Sequence, residues 1–564
     1  MKTGGFFKIA KTMNKISLKP FLPFIFAIVL ALGVLLGLSL NFNRAQPSSE
    51  KKFFSIGFDR YNKINDIINY ITDSYVDSVD REELTEEAIV TLLRNLDPHS
   101  SYIPASAFRD LNDPLMGSFE GIGIEFNMMI DTVVVINPVP GGPSETIGLR
   151  AGDRIIKVEG ELIAGVKMAT QDVVRRLKGP KGTKVTVSVL RRGVDQLIDF
   201  TITRDKIPSY SLDIAYMVDE TTGYIKLGQF SATTHQEFRL AVERLKRQGM
   251  EQMILDLRGN GGGFLDAAIQ ISDEFLRPET LIVYTDGRRR PKTVARARRN
   301  GMFETQPLVI LIDEWSASAS EIVAGAVQDH DRGLIIGRRS FGKGLVQEQV
   351  QLGDGSAIRL TVARYYTPSG RSIQKPYDNG SDEYFADFMQ RFLDGELDNA
   401  DSIRQNDSLR FETAAGRVVF GGGGITPDIF VPISNEERSP YFIKVANRGL
   451  IYRFAFDYAD NHRERLKNYE TAKRFVNEFQ VDQATLSEFT RFATREGVRM
   501  NEEEYRAAMQ LIKTHIKAYV GRNIFGNEAF FPVMNQRDPG VLEALDALRN
   551  NKLEQLLTAT QKES

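Results

Sequence analysis

A serine-rich corner and a lysine downstream of it are the residues of this sequence whose types and spacing could do chemistry. Ser316 to Ser320 read Ser-Ala-Ser-Ala-Ser, after the apolar run Leu308 to Ile312 and before the apolar residues Ile322 to Ala324. This pattern predicts a strand-turn-helix corner. A serine there exposes its hydroxyl beside the free amides of a helix amino terminus, which favour an oxyanion. Each of the three serines could be a nucleophile or an ordinary helix cap.

A serine nucleophile needs a base, and Lys343 is the better of two candidates. Gly342 and Gly344 flank it, and apolar neighbours would desolvate its amine. Desolvation lowers the pKa of a lysine from about 10.4 toward the neutral form that a base must have. Gln347 lies further along an expected strand and would orient this amine. His330 is the alternative base, but its polar neighbours predict a solvated turn.

The same segment also resembles a phosphate-binding loop. Residues 337 to 344 match Gly-x4-Gly-Lys, but that motif continues with a serine or threonine that binds magnesium and then with a helix. Gly344 has no hydroxyl, and the alternation of valine and glutamine after it predicts a strand. Nucleotide binding is therefore the weaker interpretation.

A second loop could stabilise negative charge. Asp256-Leu257-Arg258 ends a predicted strand, and residues 259 to 263 read Gly-Asn-Gly-Gly-Gly before a predicted helix, Leu265 to Leu276. A dinucleotide fingerprint would need glycine at Phe264, so the spacing excludes it. Gly261 stands where the similar loop of trypsin-like proteases has its serine. Amides at a helix start suit an oxyanion, and a flexible turn is the alternative interpretation.

Two pattern changes indicate the elements that position these residues. Beyond Ile207 the sequence alternates strands with helices, which predicts a mostly parallel sheet. From 117 to 205 it shows short strands of period two with one helix. This smaller unit resembles a PDZ domain, a family that binds a peptide's terminal carboxylate and adds the peptide as a strand. The resemblance implies these peptide-binding residues: Gly121, Ile122, Gly123, Ile124, Val173, Val174 and Leu177.

The amino terminus predicts export. Several lysines precede Phe21 to Leu40, which carry no charge and are long enough to cross a hydrocarbon core of about 30 Å as a helix. A cleaved signal peptide is the alternative to this membrane anchor. Either interpretation places the remainder of the chain outside the cytoplasm, and the anchor would hold it at the inner (cytoplasmic) membrane.

Composition sets broad limits. The chain has 564 residues, 42% of them hydrophobic and 26% charged, with a net charge of -2 and no cysteine. The length suits roughly three or four domains. The near-neutral charge gives no argument for a nucleic-acid partner, and the lack of cysteine excludes disulfides, thiolate metal sites and a cysteine nucleophile.

The serine and lysine segments together resemble the carboxy-terminal processing, or tail-specific, protease family. Three further motifs support this: Leu96-Asp97-Pro98-His99-Ser100, Arg364 to Gln374, and Gly422 to Asp428. The resemblance implies a crotonase-like (ClpP/crotonase) α/β protease core with an inserted PDZ domain, an N-terminal helical region and a C-terminal helical extension.

The resemblance also implies roles for residues. The family's nucleophile falls on Ser318, its lysine on Lys343 and its glutamine on Gln347. Its oxyanion donors would be the amide of Ala319 and that of Gly262 or Gly263. No metal or organic cofactor is implied.

The predicted organisation is a cytoplasmic N-terminus (1–20), a transmembrane anchor (21–40), a linker with two helices (41–116), the PDZ domain (117–205), the protease core (206–435) and the helical extension (436–564). Residues 377 to 412 form an acidic, turn-prone insertion, either a lid or a disordered surface loop. The extension shows no chemistry of its own and is expected to serve packing or oligomerisation.

The predicted function is an extracytoplasmic, periplasmic serine endopeptidase that recognises C-terminal tails of protein substrates through its PDZ domain and cleaves with a Ser-Lys dyad. Further partners allowed by the resemblance are a second copy of the chain and an activating or adaptor protein. The alternative is a non-catalytic PDZ adaptor that delivers tails to another protease.

Overall fold

A computed structural model of the protein describes residues 62–129 and 131–563. The predicted cytoplasmic segment, the membrane anchor and residues 41–61 of the predicted linker lie outside the described residues. Across the described ranges, every helix is too short or too polar to cross a bilayer. The described residues divide into two compact units, one ending at Leu84 and the other beginning at Thr85.

Helices and strands alternate along most of the described chain. The strands are β1 Ser101–Ile103, β2 Ser118–Gly121, β3 Ile124–Met128, β4 Val133–Pro138, β5 Arg154–Val158, β6 Glu161–Leu162, β7 Lys184–Leu190, β8 Ile198–Thr203, β9 Asp205–Pro208, β10 Leu212–Met217, β11 Thr222–Leu227, β12 Gln252–Asp256, β13 Leu281–Gly287, β14 Arg290–Arg296, β15 Leu308–Ile312, β16 Leu334–Gly337, β17 Leu345–Gln351, β18 Ala357–Tyr366, β19 Arg410–Glu412, β20 Val418–Phe420 and β21 Ile429–Phe430. The helices are α1 Lys63–Ser74, α2 Arg81–Arg94, α3 Ala105–Asn112, α4 Pro143–Thr146, α5 Thr170–Leu177, α6 Thr234–Arg247, α7 Leu265–Asp273, α8 Ala319–Asp329, α9 Ser381–Leu393, α10 Pro440–Asn447, α11 Leu450–Asn461, α12 Arg463–Lys467, α13 Ala472–Glu478, α14 Gln483–Arg495, α15 Glu502–Phe525, α16 Asn527–Asn535, α17 Pro539–Arg549 and α18 Lys552–Glu563.

A six-stranded sheet of order β10-β11-β12-β15-β16-β21 forms the centre of the protease core, and all its pairs except β10–β11 are parallel. Strands β15 and β16 at its centre are fully buried, because both faces of the sheet are covered. Leu255 and Ile310 pack against α6, α7 and α8, whereas Ile254 and Val309 pack against α17. The predicted α/β core is therefore sandwiched between helices of the core and a helix of the C-terminal extension.

A second, antiparallel sheet carries the segment that follows the predicted catalytic lysine. Its order is β1-β18-β13-β14, with β17 also paired to β18. In the β17–β18 ladder, Gln347 is opposite Thr361. The ladder of β1 with β18 brings the Leu96–Ser100 motif, just before β1, to the same place.

The PDZ-like domain has a sheet of order β3-β4-β5-β7-β8, with β6 beside β5, and one longer helix, α5. Its core is built from the inward residues of these strands, including Val187 and Ile202. Strands β2 and β9 pair with each other where the chain enters and leaves the domain.

The C-terminal extension has a helical core of its own and also packs on the rest of the chain. Phe475 and Phe489 are buried inside it. Phe456 of α11 packs on Val134 and Ile136 of β4, so the extension contacts the PDZ-like domain as well as the core sheet. Packing within the chain therefore accounts for this extension's apolar surface in part.

The insertion at 377–412 is ordered, so its interpretation as a disordered loop is wrong. Its helix α9 is anchored by Arg391, which donates to the carbonyl oxygens of Ser340 (3.1 Å) and Arg339 (2.6 Å). Lys375 donates to Asp387 of the same helix at 2.9 Å. These partners lie outside the insertion in sequence, and composition alone does not reveal them.

Candidate active site

The three serines of the corner differ in what their hydroxyls do. Ser316 Oγ donates to the carbonyl oxygen of Leu257 and Ser320 Oγ to that of Asn260, each at 2.9 Å. Both serines are fully buried. Ser318 is half-buried and no such bond to a carbonyl is recorded for its hydroxyl in the described chain. Ser316 and Ser320 thus donate their hydroxyls to buried carbonyl oxygens, whereas Ser318 forms a capping box with Glu321 at the start of α8 and lines a cavity.

Ser318 occupies the sharp turn between β15 and α8. It is the N-cap residue of α8 and has φ of 56° and ψ of -109°. A positive φ is costly for a residue with a Cβ and persists only where the surroundings enforce it. Its amide donates to the carboxylate of Glu321 at 2.8 Å, which contributes to that enforcement.

Glu321 joins the serine corner to the lysine loop. Its buried carboxylate accepts hydrogen bonds from the amides of Ser318, Gly342 (2.7 Å) and Lys343 (2.9 Å) and from the hydroxyl of Ser340 (2.5 Å). Burial raises the pKa of Glu321 to about 7, although these four donors oppose the rise. One acidic side chain therefore fixes the backbone at both predicted catalytic residues.

Lys343 is poised to be a base. Burial lowers the pKa of its amine, and the positive charge of Arg359 lowers it further. Its Nζ donates to Gln347 Oε1 at 3.0 Å, and Gln347 Nε2 donates to the carbonyl oxygen of His99. Between these described side chains, no hydrogen bond joins Lys343 Nζ to Ser318 Oγ.

Tyr365 also connects the two residues. Its hydroxyl lies 2.6 Å from the carbonyl oxygen of Lys343 and 3.2 Å from that of Ser318. The ring is buried, and burial raises the pKa of its hydroxyl, so it remains a neutral donor.

The glycine loop lies against the serine corner. The carbonyl oxygen of Asn260 accepts the amide of Ala317 at 3.0 Å. At Gly262 φ is 101° and an added Cβ would lie 2.8 Å from the Cβ of Ser318, so a larger residue would displace Ser318. The amide of Gly262 donates to Asn260 Oδ1 at 2.9 Å and is not available to an oxyanion in this structure. Of the two glycines predicted as donors, Gly263 is left.

One cavity of about 440 Å³ brings the predicted catalytic residues together. Its lining includes all six residues predicted for catalysis and the oxyanion, namely Gly262, Gly263, Ser318, Ala319, Lys343 and Gln347. Asn112 and Leu115, from the segment that leads into the PDZ-like domain, also line it. His330 is not among the lining residues, and its Nε2 pairs with the carbonyl oxygen of Leu281 at 2.6 Å.

The predicted peptide-binding residues lie in the PDZ-like domain and outside this cavity. The carbonyl oxygen of Ile122 accepts from Ser144 and that of Gly123 accepts from Val139, which fixes the loop Gly121 to Ile124. Val173 and Leu177 are buried in the domain's core, whereas Val174 is half-buried. Peptide binding at these positions stays a prediction.

Sequence reasoning missed the residues that support the site. His99 orients Gln347 through its carbonyl oxygen. Asp97 holds that segment by accepting the amides of His99 (2.8 Å) and Ser100 (2.9 Å) and the hydroxyl of Thr361 (3.0 Å). Burial lowers the pKa of His99 to about 3, with Lys343 adding to the shift, so this histidine is neutral. The Leu96–Ser100 motif was recognisable in the sequence, but a motif does not reveal which distant residues its members contact.

Family comparisons match four parts of the chain. Residues 221–379 match Peptidase family S41, and residues 134–191 match the PDZ domain. Residues 39–107 match the N-terminal domain of the activating protease CtpB, and residues 441–526 match a family of unknown function, DUF8443.

Curated proteins and a solved structure are similar over longer stretches. A carboxy-terminal-processing protease of Bartonella bacilliformis is 40% identical over 317 residues, which are 55% of this chain and 72% of that protein. The carboxy-terminal processing protease CtpA of Bacillus subtilis is 34% identical over 58% of this chain and 69% of its own length. The structure of a photosystem II D1 C-terminal processing protease covers 66% of this chain and 88% of its own, at 28% identity and a TM-score of 0.34.

Proposed function

The chain belongs to the carboxy-terminal processing proteases, serine peptidases of family S41, and from this premise we propose that Ser318, Lys343 and Gln347 are its catalytic residues. The observation that carries the proposal is the contrast among the three serines. In the described corner, Ser316 and Ser320 donate to buried carbonyl oxygens, whereas Ser318 caps α8 and shares its cavity with a lysine whose pKa is lowered.

The proposed reaction is acyl transfer to the serine. Ser318 Oγ attacks the scissile carbonyl carbon while neutral Lys343 accepts its proton. The amides of Ala319 and Gly263 stabilise the tetrahedral oxyanion. Lys343 then returns the proton to the leaving amine, and a water molecule, again deprotonated by Lys343, releases the acyl group.

Lys343 must change partners for this reaction. Its Nζ is bonded to Gln347 in the structure, and a bond to Ser318 Oγ has to form for proton transfer. Catalytic hydrogen bonds are often loose without substrate and tighten in the complex. We propose that a polypeptide entering the cavity brings Lys343 Nζ to Ser318 Oγ.

The proposed substrates are extracytoplasmic proteins with accessible C-terminal tails. Support comes from the PDZ domain, whose family binds carboxyl termini, and from Asn112 and Leu115, which connect that domain to the catalytic cavity. An uncleaved anchor at residues 21–40 would place the site in the periplasm at the inner membrane. The parallel core sheet with α8 behind Ser318 agrees with the proposed crotonase-like fold.

Cleavage of an unstructured polypeptide by the full-length, detergent-solubilised protein tests the proposal. We expect the wild type to cleave, Ser318→Ala to be inactive and the exposed-helix control Ser487→Ala to match the wild type. Equal cleavage by Ser318→Ala would contradict the assignment of the nucleophile. Binding of tail peptides with no cleavage by the wild type would favour the PDZ adaptor instead.

A further inference from the structure

Arg258 stands at the start of the glycine loop, between two carboxylates from distant parts of the chain. Its Nη2 donates to Asp256 Oδ2 at 2.7 Å and its Nε to Asp256 Oδ1 at 3.0 Å. Its Nη1 donates to both carboxylate oxygens of Asp538, at 2.9 and 3.0 Å. The guanidinium therefore joins the last residue of β12 to the first turn of α17 in the helical extension.

Asp538 adds a second carboxylate beside Arg258. Lys226 lies 3.6 Å from Asp256 and also faces Asp213, so within the core Asp256 is the carboxylate that pairs with Arg258. Burial alone would raise the pKa of Asp256, but Arg258 and Lys226 hold it below its ordinary value. The side chains of Asp256, Arg258 and Asp538 are 1%, 22% and 25% exposed, so solvent screens the group incompletely. Asp538 supplies the second negative charge.

The backbone of Arg258 passes this constraint to the catalytic corner. The amide of Arg258 donates to Asp256 at 2.9 Å and its carbonyl oxygen accepts from Lys226 at 2.8 Å. The next amide, Gly259, donates to Asp313 Oδ1 at 2.9 Å. The following carbonyl oxygen, Asn260, accepts from the corner of Ser318, so a shift of Arg258 reaches both sides of the oxyanion site.

The extension is shaped to hold Asp538 at this position. Asp538 is the N-cap of α17, and its Oδ1 accepts the amide of Val541 at 2.9 Å. The apolar face of α17 is buried on the core sheet. An added Cβ at Gly540 would lie 3.1 Å from Arg258 Nη1, so the helix start leaves little room around the guanidinium.

From these contacts we propose that Asp538 is a positioning residue, which holds Arg258 and thereby fixes the loop that presents the amide of Gly263 to the oxyanion. The helical extension is then a functional part of the catalytic site as well as a packing element. This inference rests on the proposed function, because it assumes an oxyanion at that loop.

The test compares two aspartate N-caps of the same extension. Asp538→Asn keeps a capping side chain of the same shape and removes the charge that faces Arg258. The matched control is Asp482→Asn, which changes the N-cap of α14, where Asp482 accepts the amide of Thr485 at 2.8 Å and contacts no residue of the site. The full-length protein is assayed for kcat and KM, for inhibition by a peptide boronate that forms a tetrahedral adduct, and for thermal unfolding.

We expect Asp538→Asn to lower kcat about tenfold, less than the roughly 100-fold or greater loss of an oxyanion donor itself. The boronate should bind more weakly by a similar factor, with KM unchanged within about twofold. Asp482→Asn should change none of the three, and Asp538→Glu, which restores the charge, should recover part of the loss.

Unchanged kcat and boronate affinity in Asp538→Asn would overturn the inference. So would an equal fall in Asp482→Asn, or a fall that only follows the loss of folded protein. Asp538→Ser, a second capping residue without charge, repeats the comparison if the asparagine variant unfolds. Ser318→Ala, assayed in the same experiment, tests the proposed function separately. Retained activity in that variant would overturn the assignment of Ser318 as the nucleophile, but it would not affect the measured dependence of kcat on Asp538.

Discussion

The catalytic corner and the PDZ domain are attached to the molecule in different ways. At the corner, the buried carboxylate of Glu321 accepts four hydrogen bonds of 2.5 to 2.9 Å from both predicted catalytic segments. The PDZ domain meets the extension through a small apolar contact at Phe456, through the partly exposed ion pair of Glu125 with Arg522 (3.0 Å), and through longer ion pairs of Asp460 with Arg192 (3.6 Å) and Arg154 (3.9 Å).

This difference separates chemistry from recognition. Short hydrogen bonds in a buried site leave a reacting group little freedom, and acyl transfer requires that precision. Partly exposed ion pairs and a small apolar patch cost little to break. The PDZ domain can therefore respond to a bound tail while the corner keeps its geometry.

Among variants that test this difference between the corner and the PDZ domain, removal of the Glu321 carboxylate should have the largest effect. Glu321→Ala leaves three amides and the Ser340 hydroxyl without an acceptor in a buried site. We expect the free energy of unfolding to fall by about 3 kcal/mol or more, since each buried unsatisfied donor costs ~1–3 kcal/mol. We also expect kcat to fall about 100-fold, because the backbone of both Ser318 and Lys343 is released.

Chemical denaturation and steady-state kinetics measure these losses. Glu321→Gln keeps one acceptor oxygen and should fall between the alanine variant and the wild type. Full activity in Glu321→Ala would show that other contacts hold the corner and would contradict the role given to Glu321.

The pH dependence of kcat/KM tests the protonation state of Lys343 without a mutation. A protonated lysine cannot accept the serine proton, so kcat/KM should rise with pH and level off as Lys343 becomes neutral. Since burial lowers the pKa of Lys343, the plateau should begin below its ordinary value of 10.5. A pH–rate profile of the wild type measures this. A rate that falls as the pH rises between about 7 and 10 would count against a lysine base.

Loosening the PDZ domain should have the smallest effect. Asp460→Ala removes the partner of Arg154 and Arg192, and we expect the free energy of unfolding to change by less than about 1 kcal/mol because such pairs are weak. Hydrogen exchange should become faster in β4, while kcat changes by less than about twofold. Glu464→Ala, which breaks the Glu464–Lys467 pair of the same region, is the matched control. A large loss of kcat in Asp460→Ala alone would mean that the two regions are coupled.

The sequence was informative where the signal is local. Ser318, Lys343 and Gln347 lie within one short segment. Gly344 and the strand pattern after it argue against a phosphate loop, and the family resemblance selects Ser318 among the three serines. The alternation of strand and helix likewise predicted the α/β core, since the spacing of apolar residues within a few positions distinguishes a helix from a strand.

Contacts between segments that are distant in the sequence could not be predicted from it. Gln347 is oriented by His99, 248 residues away, and Arg258 is bound by Asp538, 280 residues away. No periodicity encodes such pairs. The same limit applies to α9, where Arg391 donates to the carbonyl oxygens of Arg339 and Ser340 about 50 residues earlier. The bond from the amide of Gly262 to Asn260 is local, but it depends on a backbone conformation that the residue types do not specify.

The central claim is that Lys343, and no histidine, activates Ser318. The most direct test is the initial rate of cleavage of an unstructured polypeptide by Lys343→Ala and His330→Ala, each with its fold verified by circular dichroism. The account predicts that Lys343→Ala loses about 1,000-fold or more of the wild-type rate, as expected for a group that acts as one unit with the nucleophile, and that His330→Ala retains it. Full activity in Lys343→Ala with loss of activity in His330→Ala would contradict the account.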